Sequence, residues 1–128
     1  MVKAIKGGVM FIKKILKYDV DAQEADIIIS DGNFDIMTYA QPFNNDKDVF
    51  ELYAFRSKNI MRALEPRSAV NKTDDGYYAY RLQGKIIDLE DRIVTVGGIK
   101  IILENSIPND IKVNEYIEFD VLRIDFID

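Results

Sequence analysis

Two groups of carboxylates stand ahead of turn-forming residues: Asp19, Asp21 and Glu24 early in the chain, and Asp88, Glu90 and Asp91 late in it. Clustered oxygens could bind a hard cation, and a pair held across a cleft could do general acid and base work as in glycosidases. A calcium loop requires D-x-[DN]-x-[DN]-G spacing, which neither group has, and Asp31-Gly32-Asn33-Phe34-Asp35 places its glycine too early. Asp and Asn beside glycine already have a sufficient role in turns. No catalytic, metal or cofactor residue is therefore assigned, and a carboxylate-based hydrolase is the last of three functional readings.

The stretch Tyr77-Tyr78-Ala79-Tyr80-Arg81 offers a different chemistry. On a strand, Tyr78 and Tyr80 project from one face. Aromatic rings with nearby Arg or Lys describe the base platform of single-strand-binding domains, but they equally describe a buried core or a protein interface, where tyrosine is enriched. Arg56, Lys58 and Arg62 are the basic group that could accompany them. The candidate binding surface is thus Tyr78, Tyr80, Arg81, Arg56, Lys58 and Arg62.

Composition narrows the classes. The 128 residues include no cysteine and no histidine, which removes disulfides, thiol chemistry, Cys/His zinc sites and imidazole catalysis. The net charge of −5 arises wholly in the second half: residues 1–64 hold nine basic and nine acidic groups, residues 65–128 eight and thirteen. An acidic chain disfavours a phosphate-backbone partner. No apolar run is long enough to span a bilayer and no export signal opens the chain, so a cytoplasmic location without membrane partners is expected.

The elements that must position these residues are mostly strands. Asp31-Gly32 and Gly97-Gly98 supply the positive φ of two-residue hairpin turns. The first turn predicts Ile29 opposite Phe34 and Ile27 opposite Ile36; the second predicts Val96 opposite Ile99 and Val94 opposite Ile101. Each register puts apolar residues on one face. A long strand from Phe11 to Val20 carries a bulge near Lys13-Lys14, and Phe50 to Arg56 forms another strand after a polar loop at 44–48. Tyr77 to Leu89 bends at Gly84, and Tyr116 to Phe126 changes phase at Val121-Leu122. Ser57 to Glu65 is read as the one helix, capped by Ser57, with Ile60, Met61 and Leu64 on one side and Pro66 as its stop.

Matches at a spacing of 66 residues (Phe11 with Tyr77, Glu24 with Glu90, Phe50 with Tyr116, Tyr53 with Phe119) suggest a duplication of residues 11–65 in 77–128, although the apolar faces of the two hairpins fall out of phase at that spacing. Codons AAA-GGA-GGN for Lys6-Gly7-Gly8 would spell a bacterial ribosome-binding site before Met10, which makes 1–9 a leader or a flexible arm. Gly84 to Ile99 followed by Val113 to Val121 resembles the strand-and-hairpin cadence of OB-like and SH3-like barrels, a likeness that transfers no residue role.

The expected protein is a single all-β domain with minor α content. Its expected form is a small OB-like or SH3-like barrel of about eight strands, or two half-barrels joined by a short helix. Its expected function is a non-enzymatic, cytoplasmic protein-interaction module without cofactors. Single-stranded nucleic-acid binding is the alternative, and an end strand such as Tyr116 to Phe126 could pair two copies by its edge.

Overall fold

Eleven strands are laid down by the alternation of apolar and polar residues: β1 (Phe11–Asp19), β2 (Glu24–Ser30), β3 (Asp35–Ala40), β4 (Glu51–Phe55), β5 (Lys58–Arg62), β6 (Ala69–Lys72), β7 (Tyr80–Asp88), β8 (Ile93–Val96), β9 (Ile99–Leu103), β10 (Tyr116–Val121) and β11 (Arg123–Ile127). The structure is a computed structural model and describes residues 10–44 and 49–128. The suggested leader 1–9 and most of the polar run at 44–48 lie outside the described residues. Within them the fold is all-β, and no helix is long and apolar enough to cross a membrane.

All strands belong to one sheet in the order β1-β2-β3-β11-β4-β9-β8-β7-β10-β5, with β6 also beside β7. The hydrogen-bonded order is open, ending on β1 and β5. Two joins are parallel, β3 with β11 and β4 with β9. The core comes from the inward residues of both halves, among them Ile27, Ile36, Leu52, Leu82, Val94, Ile101, Phe119 and Ile124, all at most 1% exposed. Phe126 closes one end against Phe43 and Phe50, with ring centroids 5.8 and 4.7 Å away.

The second hairpin has the expected register, with Val96 opposite Ile99 and Val94 opposite Ile101. The first is displaced by two residues: Ile29 faces Ile36 and Ile27 faces Thr38, around a four-residue loop, Asp31 to Phe34. The Asp31 side chain causes this widening, because its Oδ1 accepts the N–H groups of Asn33 (2.8 Å) and Phe34 (2.7 Å) and so draws Phe34 into the turn. A slip of two preserves the faces, and Ile27, Ile29 and Ile36 remain fully buried. The two hairpin tips also meet, with Asp31 Oδ2 accepting the Gly98 N–H at 2.6 Å.

The expected helix is absent. Lys58–Arg62 is strand β5, which pairs with Ile117–Asp120 of β10, and Leu64 is 97% exposed in the loop beyond. Arg56 and Asn59 take left-handed φ values of 57° and 54°, which a helix would not accommodate. Ser57 is buried, its Oγ accepting the Asn105 N–H and its carbonyl accepting the Asn105 side-chain amide, rather than capping a helix. Pairing along β10 outweighs a weak local helix preference.

The irregularities expected near Lys13 and at Leu122 are present, whereas β7 passes Gly84 without a break along β10 and has its register shift at Ile87 instead. β1 carries an extra residue at Lys13 and another at Leu16. Leu122 interrupts the last strand, so that Ile117, Phe119 and Val121 before it and Ile124 and Phe126 after it all face inward. The resulting β10 and β11 each have neighbours on both edges, so Tyr116 to Phe126 is not an edge strand; among the described residues β1, β5 and β6 are each paired on one edge only. Each half runs as a three-strand meander followed by a bent strand, β1-β2-β3 with β4/β5 and β7-β8-β9 with β10/β11. The turns also correspond: Asp19 Oδ1 caps the N–H groups of Asp21 and Ala22, Asp88 Oδ1 caps that of Asp91, and Gln23 and Arg92 both close with φ 56°. Asp19 and Asp88 are 69 residues apart. The offset between halves is therefore not constant, which accounts for the phase mismatch at 66.

Candidate interaction surface

On the outer face of the sheet, β11 lies between β3 and β4, with Asp125 opposite Tyr39 on one side and Tyr53 on the other, and Arg123 opposite Phe55. Arg123 and Asp125 are two apart on one strand and share a face. Their side chains join through Arg123 Nε to Asp125 Oδ1 at 2.5 Å and Nη2 to Oδ2 at 3.3 Å. The guanidinium carbon then sits 4.8 Å from the Tyr39 ring centre and 4.6 Å from that of Phe55. Both are within range of cation–π attraction.

The row continues in both directions. Tyr39 packs on Tyr78 at 5.6 Å, Tyr78 meets Tyr77 edge-on at 4.8 Å, and Lys17 Nζ of β1 lies 5.8 Å from the Tyr77 ring centre. At the other end the Arg56 guanidinium is 5.5 Å from Phe55. Aromatic and cationic side chains thus form one continuous row across β1, the turn before β7, β3, β11 and the end of β4. Tyr77 is 59% exposed, and the more central residues are half-buried.

Carboxylates beside the row fix its members. Tyr78 Oη donates to Asp26 Oδ1 at 2.6 Å, and Asp26 is buried. Burial, and then this hydrogen bond, push the Tyr78 phenol well above its ordinary range. Tyr39 Oη donates to Glu24, which raises its pKa, and the hydrogen bond to Asp125 raises that of Arg123. These bonds hold the rings and the guanidinium in fixed positions. The hollow beside them, lined by Tyr39, Gln41, Arg123, Asp125, Phe126 and Ile127, measures about 120 Å³. That is smaller than a typical small-ligand pocket of roughly 300 Å³ or more.

No family model, curated protein or solved structure matches the chain. Side-chain chemistry on this fold is what carries a functional reading.

Of the six residues singled out in the sequence, Tyr78 belongs to the row and Arg56 ends it. Tyr80 does not share an exposed face with Tyr78, because Tyr78 precedes β7 in a turn, whereas Tyr80 is buried and its Oη accepts the Met37 N–H at 2.9 Å. Arg81 is occupied by β10, with Glu118 at 2.5 Å and Asp120 at 2.9 Å. Arg56 and Lys58 line a cavity of about 230 Å³ with Asp75, Val121 and Leu122, while Arg62 stands apart, bound to Glu115 at 2.7 Å and Asp110 at 3.6 Å. Sequence reasoning missed Tyr39, Phe55 and Arg123. Their only local sign is the outward phase of their strands, since the Arg123 and Phe55 pairing joins residues 68 positions apart. Among the described residues, no three acidic side chains gather in a way that could hold a metal ion.

Proposed function

We propose that this protein is a non-enzymatic protein-interaction module whose contact surface is the row from Lys17 to Arg56. The observation that carries the reading is the Tyr39–Arg123–Phe55 stack, pre-positioned by Asp125 and Glu24 on an outer sheet face. Tyrosine and arginine dominate binding hot spots because they bring large contact area and directed hydrogen bonds from few rotatable groups. A cytoplasmic setting belongs to the same proposal and is supported by the cysteine-free composition.

Barrel-like closure and descent from a duplicated unit are parts of the proposal too. In support of closure, β10 pairs with β7, β11 pairs with β4, and only Leu122 separates β10 from β11; one nearly continuous strand therefore flanks both ends of the β4-β9-β8-β7 run. In support of duplication, the two meanders have matching Asp-capped turns.

Single-stranded nucleic-acid binding is favoured by the same alternation of rings and cations. Against it stand the carboxylates Glu24, Asp26 and Asp125 directly beside the row and the net charge of −5. The test compares the wild type with a Tyr77→Ala, Arg56→Ala variant of unchanged thermal midpoint. A protein partner retained by the wild type should bind the variant roughly tenfold or more weakly. Binding of a fluorescent single-stranded oligonucleotide that falls steeply with salt and is lost in the variant would replace this reading with the alternative.

A further inference from the structure

β1 stands at one end of the sheet order and its ladder runs to β2 alone. Among the described residues no strand pairs with its other edge, which presents backbone N–H and C=O groups along nine residues. That edge is basic, with Lys13, Lys14 and Lys17 in a chain of net charge −5, and it exposes Phe11 and Leu16 at 45% and 40%. Asp35 holds Lys13 at 2.6 Å, and Lys17 lies beside Asp26 in the ladder and over the Tyr77 ring.

The second half contains a worked instance of what such an edge accepts. β7 opens the second meander as β1 opens the first, and along Tyr80–Lys85 it is joined by β10. In β10 the acids Glu118 and Asp120 alternate with Ile117, Phe119 and Val121, and Arg81 of β7 grips both acids. The corresponding strand of the first half, β4, is taken on both edges by β9 and β11, so among the described residues β1 has no such neighbour. A second copy of β1 fits poorly: antiparallel pairing about Ile15 sets Lys13 directly against Lys17, and like charges opposite one another destabilise a ladder. The bulges at Lys13 and Leu16 are a further guard against self-pairing.

We propose that the β1 edge is a strand-addition site for an extended segment of a partner protein in which Asp or Glu alternates with apolar residues, as in β10. Backbone hydrogen bonds supply affinity, and the lysines select the acidic segment. The proposal rests on the protein-interaction reading and specifies how part of the partner docks.

The experiment titrates the isotope-labelled full chain with a synthetic peptide of residues 113–122, Val-Asn-Glu-Tyr-Ile-Glu-Phe-Asp-Val-Leu, and with the same peptide carrying Lys at its three acidic positions. The expected result is shifted, exchange-protected amides in β1 with the acidic peptide, at least tenfold weaker binding of the lysine peptide, and a reversed preference in a Lys14→Glu, Lys17→Glu variant. Equal binding of the two peptides, changes confined to β5 or β7, or an unresponsive β1 would overturn the proposal. Concentration-dependent shifts of β1 without peptide would also overturn it, in favour of self-pairing. Failure here, with partner binding still lost in the Tyr77→Ala, Arg56→Ala variant, removes strand addition and leaves the interaction module standing. Loss of the variant's effect removes the latter.

Discussion

The Asp31 carboxylate accepts three backbone N–H groups, from Asn33, Phe34 and Gly98, and so ties the tips of the two hairpins together. Burial disfavours its charge, but these donors outweigh that cost and hold its pKa below the ordinary 3.8. The lowered value means its stabilisation is complete above the unfolded pKa and lost as pH falls through the folded one. Asp31→Ala should cost about 1–3 kcal/mol in urea unfolding near neutral pH, since three donors lose their acceptor. The gap to wild type should close in acid below about pH 3.8. At the alkaline end, Tyr39, Tyr53, Tyr78 and Tyr80 are all raised above 10, by hydrogen bonds to Glu24 and Glu51 in the first two and chiefly by burial in the last two. A spectrophotometric titration should therefore show these four of the seven tyrosines ionising late. Their contribution to stability is present below pH 10 and is lost as pH rises through the folded values. In the row itself, Arg123→Lys should keep the fold and weaken partner binding roughly tenfold, because an ammonium keeps the charge but not the planar stacking or the paired hydrogen bonds to Asp125.

Gly84 lies where β7 passes from pairing β6 to pairing β8 on the same edge. A Cβ there would stand 2.4 Å from the Thr95 carbonyl oxygen and 2.9 Å from Val94 Cγ1, so Gly84→Ala should destabilise by about 2–3 kcal/mol, the upper range for overpacking. Thermal or urea unfolding checks this, and Gly76→Ala, where the nearest atom is 3.5 Å away, is the matched control. The bulge at Lys13 and the phase change at Leu122 were legible because each breaks a period-two pattern within a few residues; the bend expected at Gly84 was not found, since β7 runs unbroken along β10 there and its register shift falls at Ile87. The Gly97-Gly98 register was legible because turn chemistry and apolar faces agree. The four-residue loop at Asp31 was not, because a slip of two leaves the faces unchanged and only the reach of a carboxylate decides. β5 was misread as a helix for a similar reason: Ile60, Met61 and Leu64 have helical spacing, but the ladder of β10 sets the local conformation.

The two halves are interlocked. β3 of the first lies along β11 of the second, β4 lies along β9, and β4/β5 runs antiparallel to β10/β11. Separate fragments 10–66 and 67–128 should each lack cooperative unfolding and regain strand circular dichroism on mixing; an independently folded fragment would contradict this interlocking. Strand order was invisible in the sequence because hairpins report local pairing only, and both parallel joins connect distant residues. The row of aromatic and cationic side chains shares that blindness, since its members come from five separate stretches of chain. The most direct test of the protein-interaction account is hydrogen–deuterium exchange on the full chain with its captured protein partner. The account predicts slowed exchange in the segments around Tyr39, Phe55, Tyr77 and Arg123. A footprint that leaves all four unchanged would contradict it.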